Sequence, residues 1–168
     1  MRLPICGFDA KVGVLCPKCE AKLREGELSR SDVDISFMLA KLGGRLPLLE
    51  KLTLKRALEI DGDIVLLLGQ GDMSAIRGNS SFPRELEGAL SRRVWLSEAE
   101  SDDRRFTESL VFPAKIMTMN TVWLPDGSKI MKVIIPGKRS PRFPVDLDKV
   151  KRIVKETRNI DLVVRFEK

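Results

Sequence analysis

Three cysteines and one aspartate lie within the first 19 residues, spaced as Cys6-x-x-Asp9 and, after six intervening residues, Cys16-x-x-Cys19. A C-x-x-C turn directs two sulfur atoms at one ion, and two such turns supply the four ligands of a tetrahedral structural zinc site. Asp9 stands where a fourth cysteine would be expected. Its carboxylate oxygen can complete a zinc shell, although it is a harder ligand than a thiolate. The spacing predicts a structural Zn²⁺ bound by Cys6, Asp9, Cys16 and Cys19.

The cysteines could instead form a disulfide framework or a redox pair. The cysteine count is odd, and the start Met-Arg-Leu-Pro lacks the order of a secretory signal. A closed disulfide framework is therefore not expected. A redox pair of Cys16 with Cys19 stays open as an alternative. Such pairs normally begin a helix after a buried strand, whereas only a short apolar stretch precedes this one.

The composition argues against an enzyme. Histidine, the commonest general base near neutral pH, is absent, as is tyrosine. A catalytic zinc keeps an open water position, which three cysteines without Asp9 would provide, but no general base lies beside them in the sequence. We therefore predict a non-enzymatic protein.

The charge balance points to a polyanionic partner. The chain has 30 Lys and Arg against 24 Asp and Glu, with a sequence pI of about 9.4. Nucleic acid is the default partner of such a chain, and a solvated basic surface is the alternative. The longest apolar run, Ile64 to Leu68, is far too short to span a bilayer. We therefore expect a soluble, cytoplasmic protein without a membrane partner.

The elements that must position these residues are predicted to form two successive α+β modules. Ser29 and Ser31 are both candidate N-caps of a helix that ends at Gly43-Gly44. The first module then continues with a strand over 52–60, an Asp61-Gly62 turn, a strand over 63–68, a Gly-rich stretch over 69–81, a helix beginning at Pro83, and an extended segment over 94–96.

The second half is predicted to repeat this order. A hinge or helix start lies in 98–105, and it is followed by strands over 116–124 and 130–135, a basic loop over 136–144, a helix over 145–157 and a strand over 160–166. The Asp-Gly turns at Asp61 and Asp126 are 65 residues apart, which indicates duplicated modules. Chance similarity is the alternative. The predicted domains are a zinc-binding segment over 1–26 and modules over 27–99 and 100–168.

Each module has a loop that opens a helix, where free backbone amides can attract phosphate oxygens. In the first module, Arg77-Gly78-Asn79-Ser80 precedes a helix containing Glu85-Leu86-Glu87, and this resembles the I-G-x-x-G loop and helix of KH domains. Arg77 and Ser80 stand where the loop glycines belong. Without those glycines nucleotides cannot lie flush against the amides, so either Arg77 contacts phosphate or the loop is only a structural turn.

The second loop, Gly137 to Pro144, has no G-x-x-G and is rich in cations. These cations can neutralise phosphates, and Phe143 either stacks on a base or packs beneath the loop. A solvated basic loop is the alternative. Over both modules, the candidate RNA-contacting residues are Arg77, Gly78, Asn79, Arg92, Arg93, Lys138, Arg139, Arg142, Lys151 and Lys155.

The cysteine segment, the first loop and the stretch Asn120 to Gly127 (N-T-V-W-L-P-D-G) together resemble archaeal NusA-like proteins with tandem KH domains. The resemblance covers almost the whole chain. It implies an α+β protein with an N-terminal zinc knuckle followed by two type II KH-like domains. It further implies an RNA-binding factor in transcription, with nascent transcript and RNA polymerase as partners. The alternative is a constituent of the small ribosomal subunit or another ribonucleoprotein, docked on folded rRNA beside ribosomal proteins, because folded RNA is recognised by shape and backbone.

Overall fold

Two small mixed sheets and seven α-helices make up the part of the chain that the computed structural model describes, residues 1–138 and 140–167. The chain divides into unit 1, Met1–Glu100, and unit 2, Ser101–Lys168, each with one three-stranded sheet. The predicted α+β class is therefore confirmed. Among the described residues, no helix has both the length and the apolar character needed to cross a membrane.

Unit 1 places three helices before its first strand and two more between its second and third strands. In chain order the elements are α1 (Gly7–Val12), α2 (Pro17–Arg24), α3 (Arg30–Leu42), two short 3-10 helices (Gly43–Arg45 and Pro47–Lys51), β1 (Leu54–Ile60), β2 (Asp63–Leu68), α4 (Asp72–Arg77), α5 (Phe82–Leu90) and β3 (Val94–Glu98). Strand β2 is central, antiparallel to β1 and parallel to β3. Its residues are buried throughout.

The local signals that predicted α3 and the first hairpin are visible in the structure. Ser29, rather than Ser31, is the N-cap, and it forms a capping box with Asp32. Between β1 and β2, Asp61 and Gly62 have φ angles of 50° and 85°, the two positive values that a type I′ hairpin turn requires.

Asp32 also joins α3 to the sheet. Its Oδ2 accepts from the backbone N–H of Ser29 at 2.9 Å, and its Oδ1 accepts from the backbone N–H of Ala57 on β1 at 2.7 Å. Asp32 is buried, and its bond to Ala57 is buried as well, whereas the bond to Ser29 is partly buried. The carboxylate thereby fixes the start of α3 against the middle of β1.

Asp32→Ala is expected to destabilise unit 1 by about 2–4 kcal/mol, since it removes the carboxylate half of the capping box and leaves the buried N–H of Ala57 without an acceptor. Urea denaturation followed by circular dichroism measures the change. The matched control is Asp34→Ala on the same helix, which removes only a partly exposed ion pair with Arg30 and costs under about 1 kcal/mol. Equal losses in the two variants would contradict the bridging role of Asp32.

Helix α4 lies inside the Gly-rich stretch 69–81, for which no helix was predicted. The helix start is held by a residue far along the chain. The Glu98 carboxylate accepts from the backbone N–H groups of Gly71 at 3.1 Å and Met73 at 3.2 Å. Met73 and Ile76 are buried in the core of unit 1. Long-range capping and packing therefore stabilise a six-residue helix that its own sequence does not indicate.

Unit 2 has the same strand order and strand directions as unit 1. Its central strand is antiparallel to the preceding strand and parallel to the following one. Alternate residues Met131, Val133 and Ile135 of the central strand are buried, as are Val150 and Ile153 of the last helix. In chain order the elements are α6 (Asp103–Val111), β4 (Thr118–Trp123), β5 (Lys129–Pro136), α7 (Leu147–Arg158) and β6 (Ile160–Glu167).

Candidate metal centre and basic surface

The four predicted metal ligands come together at the first turns of two short helices. Cys6 is the N-cap of α1 and Asp9 lies in its first turn, while Cys16 is the N-cap of α2 and Cys19 lies in its first turn. Residues three apart face the same side of a helix, so each x-x spacing presents two ligands together. The four ligand atoms all lie within 4.8 Å of one another. The cluster is therefore close enough to bind a metal ion, and helix starts take the place of the predicted tight turns.

Asp9 is an ionised candidate ligand held in place by a hydrogen bond from Cys16. Its side chain is buried, and its Oδ2 accepts from the backbone N–H of Cys16 at 2.9 Å. This bond, with a further one from the Cys6 thiol, holds the pKa of Asp9 well below its usual range. The carboxylate thus remains a charged oxygen donor across the physiological pH range.

Two of the thiols resist ionisation. Burial raises the pKa of the Cys19 thiol to about 12. The pKa of Cys6 is raised as well, mainly because its thiol hydrogen-bonds to Asp9. Metal ions bind thiolates rather than thiols, so metal binding at this cluster has to release protons.

The cluster of Cys6, Asp9, Cys16 and Cys19 packs against the rest of unit 1. Ile5, Ala10, Cys19 and Leu28 are buried in one apolar cluster with Val33 of α3. At the chain start, the Arg2 N–H donates to the Leu52 carbonyl at 3.0 Å and the Arg2 carbonyl accepts from the Leu54 N–H at 2.8 Å. Order at the metal ligands is therefore coupled to the packing of α3 and to the edge of the sheet.

The first predicted RNA-contacting loop is a closed turn between α4 and α5. Arg77 ends α4, Gly78 is its C-cap, and both are exposed, as is Asn79. The Asn79 N–H donates to the Ile76 carbonyl at 2.9 Å, and the Phe82 N–H donates to the Asn79 carbonyl at 3.1 Å. Gly78 has a φ of −72°, which any residue can adopt. These two amides are engaged within the turn, which favours contact through side chains at this loop.

Arg92 and Arg93 lie beyond the opposite end of α5 from that loop. Arg92 donates from Nε to the Gly62 carbonyl at 2.8 Å and from Nη2 to Glu59 Oε2 at 3.0 Å, so it ties the first hairpin turn to the start of β3. Arg93 is exposed, with its guanidinium carbon 4.5 Å from the centroid of the Trp95 ring. The structure gives Arg92 a structural role and does not bring these two arginines together with Arg77.

The second loop, Gly137 to Pro144, precedes α7 in the chain and contains three of the predicted RNA-contacting cations. Lys138 and Arg142 are exposed, whereas Arg139 lies outside the described residues. Phe143 packs edge-on against Phe166 of β6, with ring centroids 5.2 Å apart. Of the two uses predicted for Phe143, the structure therefore shows packing beneath the loop.

The last two predicted RNA-contacting residues, Lys151 and Lys155, lie on α7. Lys151 is half-buried and Lys155 is exposed, and their spacing of four residues places them on one side of α7. The Lys155 ammonium pairs with Asp161 Oδ1 at 3.1 Å, near the end of the helix that lies away from the loop. Lys151, Lys138 and Arg142 are therefore the stronger candidates in unit 2.

Net charge is distributed unevenly between the two units. Residues 101–168 contain 15 Lys and Arg against nine Asp and Glu, whereas residues 1–100 contain 15 of each. The entire net charge of +6 therefore belongs to unit 2. Whole-chain composition conceals this asymmetry, although a charge count for each predicted module would have shown it.

Comparison with known proteins adds little to this geometry. No protein-family model and no curated protein sequence matches the chain. Among solved structures, the crystal structure of APE1850 is similar at 17% identity, with a TM-score of 0.47, over 68% of this chain and 88% of that chain. A similarity at this level carries no functional information.

Proposed function

We propose that this chain is a non-enzymatic RNA-binding protein in which two KH-like modules of type II bind RNA and a structural Zn²⁺ stabilises the N-terminal segment. The observation that carries the proposal is the concentration of the net charge of +6 in unit 2, beside the exposed Lys138 and Arg142. A basic surface of this kind neutralises phosphates and releases their counterions, which supplies most of the affinity for nucleic acid.

The chemistry of the metal cluster supports zinc in a structural role. Three soft thiolates outnumber the one hard carboxylate, so the donor set suits Zn²⁺ and is unsuited to Mg²⁺ or Ca²⁺. Four protein ligands fill a tetrahedral shell, which is the pattern of structural zinc sites. Cys16 and Cys19 do begin a helix, as a redox pair would. However, helix α1 rather than a strand precedes them, and burial raises the pKa of Cys19 to about 12, the opposite of what activates a redox thiolate.

The order of elements supports the KH-like interpretation. From α3 onward, unit 1 runs helix, strand, strand, helix, helix, strand, and the Arg77–Ser80 turn joins the two adjacent helices. Unit 2 runs helix, strand, strand, loop, helix, strand, and its basic loop stands where unit 1 has α4 and its turn. Neither loop has a G-x-x-G, so phosphate contact by cationic side chains replaces close backbone approach.

A second candidate, a constituent of the small ribosomal subunit or another ribonucleoprotein, is favoured by the first loop. Two amides of that turn are engaged in internal hydrogen bonds. Such a turn is better suited to contacting the backbone of folded RNA than to binding the unstacked bases of a single strand. This candidate shares the RNA-binding activity and differs in the particle to which the protein is attached.

Crosslinking in living cells tests the proposal, and gradient sedimentation separates its two forms. Ultraviolet crosslinking followed by sequencing of the attached RNA is expected to recover rRNA or nascent transcripts. Sedimentation with ribosomal particles at high salt favours the ribosomal constituent, whereas sedimentation with RNA polymerase favours the transcription factor. Recovery of no RNA above the level of a non-binding control protein would contradict both.

A further inference from the structure

Trp123 is the most exposed large aromatic side chain in unit 2 and has no role in its core. It ends strand β4, and 68% of its surface is accessible, compared with 6% for Trp95, the other tryptophan of the chain. Within the described residues β4 is an edge strand that pairs only with β5. A tryptophan left this exposed has no packing purpose within the described fold.

A series of charged contacts fixes the position of the Trp123 ring. Lys129 is its partner in the β4–β5 register, and the Lys129 ammonium lies 4.1 Å from the ring centroid. That ammonium is held by Asp103 Oδ2 at 3.2 Å, and Asp103 Oδ1 is held by Arg158 at 2.7 Å. The Arg158 guanidinium in turn stacks over the buried ring of Phe106 at 4.1 Å. The exposed ring is therefore anchored to the core of unit 2 through its cationic neighbour.

The electrostatic surroundings of the ring suit a polyanion. Among these contacts Asp103 contributes one negative charge against the two positive charges of Lys129 and Arg158, and the exposed Asp126 in the turn after β4 adds another, while unit 2 as a whole carries the net charge of +6. Strand β4 (T-M-N-T-V-W) has no carboxylate that would repel phosphate. Thr121, two residues earlier and on the same side of the strand, is exposed and offers a hydroxyl for hydrogen bonding.

We propose that Trp123 is a stacking platform for an unpaired base of the bound RNA. This inference rests on the proposed function and names the part of the ligand that unit 2 reads besides phosphate. An exposed, pre-positioned aromatic ring in a positively charged surface is the arrangement that single-strand-binding proteins use, because every base has a face that can stack. Lys129 acts as a positioning residue, and the stacking contact favours single-stranded RNA over a duplex.

The test compares the intact zinc-loaded protein with Trp123→Ala and Trp123→Phe, using a 12-nucleotide single-stranded RNA and a duplex of the same length. Subtracting the emission of Trp123→Phe from that of the wild type isolates the Trp123 fluorescence. We expect the single strand to quench this emission and the duplex to leave it unchanged. Trp123→Ala is expected to weaken single-strand binding about tenfold and leave the salt dependence unchanged, since no phosphate contact is lost. Trp123→Phe is expected to retain most of the affinity.

Failure of this inference is distinguishable from failure of the proposed function. If the wild type binds RNA with a clear salt dependence but Trp123→Ala binds equally well and emission is unaffected, the stacking role is overturned and the RNA-binding function stands. If the wild type binds neither the single strand nor the duplex, both the stacking role and the RNA-binding function are contradicted. Hydrogen exchange of the β4 amides gives a second check. If a protein partner protects these amides and RNA does not, the β4 edge binds an extended peptide and the stacking role is overturned.

Discussion

Cys19→Ser is expected to abolish tight zinc binding and to lower the melting temperature of unit 1 by about 10 °C or more, because the lost ligand removes the stabilisation that a tightly bound ion supplies. Cys19 is the buried cysteine of the cluster, and it also packs with Leu28 and Val33, so its replacement affects metal binding and apolar contacts together. The expected loss of zinc affinity exceeds the roughly 100-fold that removal of an outer-shell partner costs. Zinc titration against a chromogenic chelator and thermal denaturation measure the two effects.

Lys18→Ala is the matched control, since Lys18 is exposed between Cys16 and Cys19 on the same helix. It is expected to leave both zinc content and melting temperature unchanged. Adding a chelator is expected to lower the melting temperature of the wild type most of the way to that of Cys19→Ser, which also loses apolar contacts, and to leave the variant unaffected. A wild type whose stability does not respond to the chelator would show that the four residues do not form a structural metal site.

The raised pKa values of Cys6 and Cys19 also set the direction of the pH dependence. Both thiols have to lose protons to become ligands, so zinc affinity is expected to rise with pH and fall as the solution is acidified. Proton release on zinc binding, measured in buffers of different ionisation enthalpy, checks the same statement.

Replacing Lys138, Arg142 and Lys151 together by glutamine is expected to weaken RNA binding and to reduce the salt slope by about 2 to 3 units, roughly one for each phosphate contact. Among the described residues, these three are the unit 2 candidates whose side chains form no hydrogen bond or ion pair within the fold. Filter binding at four or more salt concentrations gives the slope, the derivative of the logarithm of the association constant with respect to the logarithm of salt concentration.

A second triple variant separates a specific basic surface from overall charge. Lys11, Lys41 and Lys51 are exposed residues of unit 1, and changing them to glutamine removes the same three charges. The slope of this variant is expected to remain close to that of the wild type. Equal reductions in the two triple variants would mean that net charge alone attracts RNA and would remove the assignment of binding to unit 2.

The features that sequence predicts well in this chain depend on neighbours within a few residues. The capping box of Ser29 and Asp32 spans one helical turn, and the Asp61-Gly62 turn depends on two positive φ angles at adjacent positions. The ligand spacings of the metal cluster are likewise properties of single turns. Each is determined by local conformational preference, so its outcome does not depend on the rest of the fold.

The features that sequence did not reveal depend on contacts between distant residues. Helix α4 is capped by Glu98, 27 residues after Gly71. Arg92 is engaged by Glu59 and Gly62, about 30 residues earlier, so a side chain expected to contact RNA stabilises a turn instead. The anchoring of Trp123 through Lys129 and Asp103 requires β4, β5 and α6 to be in place. Such contacts arise only when the chain has folded.

The measurement that tests the central claim most directly is the salt dependence of RNA binding by the intact zinc-loaded protein. If phosphate neutralisation by unit 2 drives binding, the logarithm of the association constant falls linearly with the logarithm of salt concentration, with a slope of about −2 or steeper. A flat dependence, or no binding at low salt, would contradict the claim that this basic surface binds RNA.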